Sequence, residues 1–223
     1  MAGGECIEGR LPKLDYPTEI VSTIDRVYWY FVSGLTIWGL SNLITKVFAL
    51  KRLCFQPGHW VVLGLGVSTL MAVATQSLHL FGTDQRTGFP RLRQTEMTLF
   101  TLGMVSSIAT WTMAIRMRCN HFSKLWTTCF VLLILCDVFT MLAILSPSMF
   151  YWHPVAASWY TGIFQTIPGL AIAICAVQDH KNTTKHDWLH WTGVLIAILS
   201  AIGGFAGVLI FAYYTYFYGA QPL

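Results

Sequence analysis

Charge is scarce in this sequence. Of 223 residues, 14 are Lys or Arg and 10 are Asp or Glu, a charged share of 11% where a soluble domain carries roughly 25%. That poverty excludes an ordinary water-facing surface, and the mean hydropathy of +0.56 points to lipid as the solvent. The first twenty residues lack a short apolar core, holding instead Glu5, Glu8, Arg10, Lys13, Asp15 and Glu19. A cleaved signal peptide is therefore not expected, and the first apolar span is expected to direct insertion itself. The longest connector, GTDQRTGFPRLRQTE (Gly82 to Glu96), is too short for a soluble domain, so residues 1–223 read as one transmembrane domain preceded by a short polar segment, 1–20.

Several kinds of chemistry are also without their residues. The six cysteines, Cys6, Cys54, Cys119, Cys129, Cys136 and Cys175, show no CxxC or paired-ligand spacing and read as small buried hydrophobes. Gly-rich phosphate loops, GxSxG elbows and aspartate-rich prenyl-diphosphate motifs are missing. The last span has no lysine for retinal, and the spans offer no histidine pair at matching depth for haem, His79 being the one histidine well inside a span. No basic stripe accompanies the net charge of +4, which excludes a nucleic-acid partner on sequence grounds. No cofactor is expected.

What remains is a succession of apolar runs. We read six spans, near Ile24 to Leu50, Trp60 to Phe81, Met97 to Ile115, Leu125 to Pro147, Val155 to Val177 and Trp188 to Tyr218, each long enough to cross ~30 Å of hydrocarbon. Backbone groups in lipid must be satisfied within the segment, so the fold class is all-α: an integral, multi-pass membrane bundle of about six helices, with room for a seventh. Lys46, Lys51, Arg52, Arg116, Arg118, Lys124, Lys181 and Lys185 fall on one side; Arg10, Lys13, Arg26, Arg86, Arg91 and Arg93 fall on the other. The bias places both termini on the non-cytoplasmic side. The sequon Asn182-Thr183-Thr184 then lies on the cytoplasmic side, so it is either unused or marks the opposite orientation. Gly203 and Gly207 stand in GxxxG spacing, a face for close packing on another helix or on a second subunit. Pro168-Gly169 is expected to kink the fifth span.

The informative residues are the polar ones at depth. In FVLLILCDVFTMLAIL (residues 130 to 145) a single acid, Asp137, lies ~18 Å past the start of its span, near the bilayer midplane. Gln165 is its counterpart across the hairpin of spans four and five, and Ser106, Ser107 and Ser200 count into the same layer. An ionised Asp there costs upward of ~2.5 kcal/mol, with no Lys or Arg at matching depth, so the acid is expected to be neutral and to donate to Gln165 or a serine. Two readings stand: a proton donor, relay or polar anchor for a lipophilic ligand, or a hydrogen-bonded tie between spans three, four and five. His79, Asp84 and Glu96 gather at one mouth as candidates for acid/base chemistry, or as interfacial groups paired with Arg86, Arg91 and Arg93. DHKNTTKHDWLH carries His180, His186 and His190 with Asp179 and Asp187; the i, i+4 pair His186 and His190 has the spacing of two metal ligands, but the HExxH glutamate is absent and a solvated loop and helix start explain it equally, so no metal site is assigned.

Two short segments, LFGTD (Leu80 to Asp84) and GIFQTIPGL (Gly162 to Leu170), resemble segments of small multi-pass proteins of the DRAM/FRAG-like group, whose function is unknown. That pattern often has Phe-Pro-x-Asp where this chain has Phe81-Gly82-Thr83-Asp84. The resemblance implies a small multi-pass bundle and carries over no catalytic residue. Fungal membrane-embedded terpene cyclases are similar in size and helical content and in having carboxylates inside the bundle, by analogy alone. The function expected is therefore a membrane protein whose midplane layer binds a lipid or other lipophilic molecule. Its alternatives are an embedded enzyme using Asp137, Glu96 or His79 to cyclise or isomerise an isoprenoid-like substrate, and a transporter of protons, ions or small solutes.

Overall fold

The computed structural model describes residues 18–50, 55–81, 89–117, 123–145, 154–181 and 186–218. They form six helices: α1 (Thr18–Ala49), α2 (Pro57–Phe81), α3 (Phe89–Arg116), α4 (Lys124–Leu145), α5 (Pro154–Lys181) and α6 (Trp188–Tyr218). One helix lies on each of the six apolar runs, and α1 and α3 extend further, carrying charged residues on helix beyond the apolar stretch. Three helices contain stretches long and apolar enough to cross a membrane, Val27–Ala49, Lys124–Leu142 and Trp188–Ala206, and α5 contains a shorter one, Thr166–Asp179.

The helix starts at one end have chemical reasons. Pro57 occupies the first position of α2, where the missing N–H is not needed, and Gln56 before it is capped by the His59 ring, whose Nδ1 accepts the Gln56 N–H at 3.2 Å. That is capping-box geometry with an imidazole in place of the usual glutamate. Ser123 receives the Trp126 N–H at 3.4 Å ahead of α4. Asp187 receives the His190 N–H at 2.9 Å ahead of α6, the position at which an aspartate is among the best caps.

Each helix packs on the next, α1 closes the ring against α6, and α2 also packs on α6 across it. Short connectors reverse the direction each time. The starts of α2, α4 and α6 therefore share one end of the bundle with the ends of α1, α3 and α5. Near that end Trp60, Trp111, Trp126, Phe130, Ile172 and Val194 are buried in one cluster. Such contacts stabilise through close packing.

Small residues set how near the helices come. A Cβ on Gly58 would collide with the backbone of His190, and one on Gly193 with the backbone of Gly58, so the first turn of α2 touches the first two turns of α6 main chain to main chain. Pro168-Gly169 does similar work on α5: a Cβ at Gly169 would meet Ala197 O and Ala201 Cβ, both at 2.5 Å. The Pro-Gly step thus serves packing of α5 on α6, which form the most extensive helix pair in the bundle. At Gly203 the space a side chain would fill is taken by Tyr28 and Trp29 of α1, at 2.7 and 3.0 Å. The small-residue face of α6 accordingly packs inside the chain at that position, while the surroundings of Gly207 are outside what the structure describes.

Gly193→Ala should force α2 and α6 apart and lower stability by about 1 to 3 kcal/mol, read as a fall in the apparent Tm of the detergent-purified protein. Gly34→Ala is the control, because nothing lies within 4 Å of a Cβ there, and it should leave Tm unchanged or raise it.

Candidate functional site

At the shared end, three helices deliver polar groups to one carboxylate. Lys46, in the last turn of α1, forms an ion pair with Asp187 Oδ2. His59 Nε2 lies 2.8 Å from Oδ1 and 3.1 Å from Oδ2. The backbone N–H of His190 donates to Oδ1, and the Asp187 N–H in turn donates to Gln56 Oε1 at 3.1 Å. Because His59 Nδ1 accepts from Gln56, its proton sits on Nε2 and is donated to Asp187. His59 is 1% exposed, so this is a buried imidazole with both nitrogens committed.

His190 follows the same logic one layer in. It is fully buried, and its Nδ1 accepts the Gly58 N–H at 3.0 Å, which leaves the proton on Nε2. Nε2 has no hydrogen-bond partner among the described residues. The His190 ring stacks on His186 with centroids 3.9 Å apart and planes 12° apart. Parallel stacked rings aim their in-plane lone pairs along separate planes, so the i, i+4 spacing that suggested two metal ligands produces a stack instead. Among the described residues no group of three or more His, Cys, Asp or Glu side chains could hold a metal ion.

A second pattern repeats across α3, α4 and α5. Trp111 of α3 donates its indole N–H to Asp137 Oδ2 of α4 at 2.9 Å, and Trp126 of α4 donates its own to Asp179 Oδ2 of α5. The Trp111 ring lies where a Cβ on Gly64 would stand, stacked on Phe130 at 5.8 Å. Gly64 therefore lets a large ring pass between α2 and α3 toward the acid. Beside it, Ser68 and Ser107 share a hydrogen bond, and Ser107 also reaches the carbonyls of Gly103 at 3.1 Å and Gly64 at 3.3 Å.

The structure brings some of the expected residues together and not others. Asp137 is half-buried and sits about 20 Å from the start of α4 by helix rise, and its described partner is Trp111. Ser107 belongs to the same neighbourhood through α2 and α3. Ser106 and Ser200 are half-buried and make no hydrogen bond to Asp137. The side chains of Gln165, His79, Glu96, His180, Arg86, Arg91 and Arg93, and Asp84 itself, lie outside the described residues, so the Asp137 to Gln165 pairing and the opposite mouth fall outside them as well. Sequence reasoning passed over Lys46, Gln56 and His59. A local signal was present: Gln56-Pro57 marks a helix start, and a polar residue at its third position, His59, is placed to cap it.

No family model, curated protein or solved structure matches this chain. The DRAM/FRAG-like resemblance therefore rests on its two short segments alone.

The charges at this end follow from the packing. Burial pushes the Asp187 carboxyl up, but hydrogen bonds from Lys46, the His190 N–H and His59 outweigh it and hold the group at about 2, below the ordinary 3.8. For His59, which precedes the expected start of its span at Trp60, burial is the largest effect and lowers its pKa below 6.5; the hydrogen bond to Asp187 opposes this, while Lys46 and His186 add to the lowering. Both groups resist protonation in the fold, so both destabilise it on acidification: His59 as pH falls below about 6.5, Asp187 as it falls below about 3.8. Apparent Tm should therefore drop between pH 7.5 and 5.5. His59→Gln, which supplies one acceptor and one donor without titrating, should reduce that slope; an unchanged slope would assign it to another histidine at this end. Asp187→Ala should lose about 2 to 4 kcal/mol, combining a lost cap with lost charged hydrogen bonds, measured by the same melts at pH 7.5.

Proposed function

We propose that this chain is a six-span integral membrane protein that binds a lipophilic molecule carrying one polar group, with Asp137 as the polar contact. The observation that carries the reading is the state of Asp137: one carboxylate oxygen is held by Trp111, and the other has no partner among the described residues. The bundle's exterior supports membrane embedding. Large apolar side chains face outward along its helices, among them Tyr30, Phe48, Leu102, Phe139, Ile174 and Ile202, a distribution a soluble monomer does not sustain. Hydroxyls at depth are answered by their own helix, Thr36 by Val32 O, Thr110 by Ser106 O and Thr140 by Cys136 O, which lets polar residues sit in an apolar solvent.

The embedded-enzyme alternative would use the same acid to protonate an isoprenoid-like substrate. Binding is favoured because Trp111, the aromatic nearest the acid, is 1% exposed and packed against Phe130, so its face is not offered to a developing cation.

Protein purified in lipid nanodiscs should carry a copurifying lipophilic species, identified by native mass spectrometry. Asp137→Leu should reduce its occupancy about tenfold or more, the equivalent of one hydrogen bond to a carboxyl group, while Asp137→Asn keeps most of it. Full occupancy in a normally melting Asp137→Leu protein would reject the reading. Turnover of a lipophilic substrate that Asp137→Asn abolishes would favour the enzyme.

A further inference from the structure

The mouth network and the midplane acid leave one reactive pair unused. Cys129 of α4 and Cys175 of α5 face each other with sulfurs 2.8 Å apart, closer than non-bonded sulfurs rest and short of the roughly 2.05 Å of a disulfide. Both are thiols here and both are buried, at 2% and 0% exposure. Their register is set by the antiparallel packing of the two helices. Trp126 and Asp179, hydrogen-bonded across the same seam, lie one turn nearer the shared end. Moving three residues along α4 and four back along α5 arrives at Cys129 and Cys175. The seam therefore holds the two sulfurs opposite each other from their helix positions, without a flexible loop. Two turns further along α4, Cys136 is opposite Pro168 in this register and meets no thiol.

We propose that Cys129 and Cys175 are a redox site, a dithiol that small hydroperoxides oxidise to a disulfide joining α4 to α5. Burial among Trp126, Phe130 and Ile172 excludes bulky or charged oxidants such as a peptide disulfide, whereas a small neutral hydroperoxide partitions into an apolar bundle. The chemistry balances. One cysteine sulfur attacks the peroxide oxygen, the O–O bond breaks, an alcohol (water in the case of hydrogen peroxide) leaves with the thiol proton, and a sulfenic acid forms. The second sulfur then attacks the sulfenic sulfur, the S–O bond breaks and water leaves with the second proton. Two thiols give up two electrons, which reduce the peroxide bond, and thiol exchange with an added dithiol restores the pair. The product ties α4 to α5 one turn below the Trp126–Asp179 bond.

The test begins with a full-length protein in which Cys6, Cys54 and Cys119 are replaced by Ser, leaving three thiols. After exposure to tert-butyl hydroperoxide, denaturation in SDS and labelling with a maleimide polymer, the labelled count should fall from three to one. The remaining label should map to Cys136, and dithiothreitol should restore all three. Adding Cys175→Ser to this background should leave no disulfide, with any oxidation of Cys129 stopping at a sulfenic acid. Wild-type protein, treated alike and digested without reduction, should yield a peptide linking Cys129 to Cys175, a readout that stands if the substituted protein does not fold. Absence of that linked peptide, or a link involving Cys136 instead, would overturn the proposal.

Discussion

The carboxylate of Asp187 is the constraint on which the shared end of the bundle depends. α2 and α6 begin side by side and run parallel, so two positive helix ends meet with the Lys46 ammonium beside them. Three sources of positive potential in a half-buried place repel one another unless an anion lies between them. Asp187 is that anion, and it is placed so that each source reaches it: the α6 start through the His190 N–H, the α2 start through His59, and α1 through Lys46. A carboxylate that accepts from all three is stabilised in its ionised form, and its low pKa is the same fact seen from the proton's side. The close approach of Gly58 and Gly193 then follows, because once the charges are answered nothing but van der Waals radii keeps the two helix starts apart.

That contact governs what happens deeper. With α2 held against α6 at its start, Gly64 comes two turns later to the position where Trp111 crosses from α3, and the ring's N–H arrives at Asp137. The Trp126–Asp179 bond repeats the device from α4 to α5. Tryptophan suits the task because its large apolar ring fills the space between helices while a single N–H reaches out for an acceptor. Within the apolar core an indole pointed at a carboxylate is directional where aliphatic contacts are not. The two pairs thus fix rotation of α4 relative to both neighbours, and the register of Cys129 with Cys175 is one result.

Helix number and approximate bounds were legible because apolar length is a property of composition, and the six runs separated by charged connectors needed no tertiary knowledge. Asp137 was legible for a related reason, since an acid inside FVLLILCDVFTMLAIL stands out against its neighbours. Its partner was not: depth counting compares Cα heights, and by that measure Trp111, five residues from the end of α3, is too shallow. Its long side chain makes up part of the difference, and the indole N–H meets Asp137 Oδ2 at 2.9 Å. The Asp187 network was hidden for another reason. Lys46, Gln56, His59 and Asp187 are polar residues near helix ends, which reads as solvation, and only the parallel placement of α2 and α6 turns a solvated fringe into a buried cluster. His186 and His190 show the limit of spacing rules: four residues apart they meet, but as stacked rings.

The three described acids of α4, α5 and the α6 start differ in what they have left to give. Asp187 accepts from a lysine, an imidazole and a backbone N–H. Asp179, 8% exposed, is bonded to Trp126 and lies two residues from the end of α5. Asp187 needs no further partner, and His59, with both nitrogens committed, has no free site for proton transfer. Among the described residues Asp137 has one bond, and it sits about 20 Å along its helix, inside a stretch long and apolar enough to cross a membrane. A carboxyl group there, ionised or neutral, gains from any additional donor or acceptor that arrives with an apolar body suited to the same environment. A lipophilic molecule with a single polar group has those properties, which is why the incomplete site at Asp137, rather than the saturated one at Asp187, carries the functional reading.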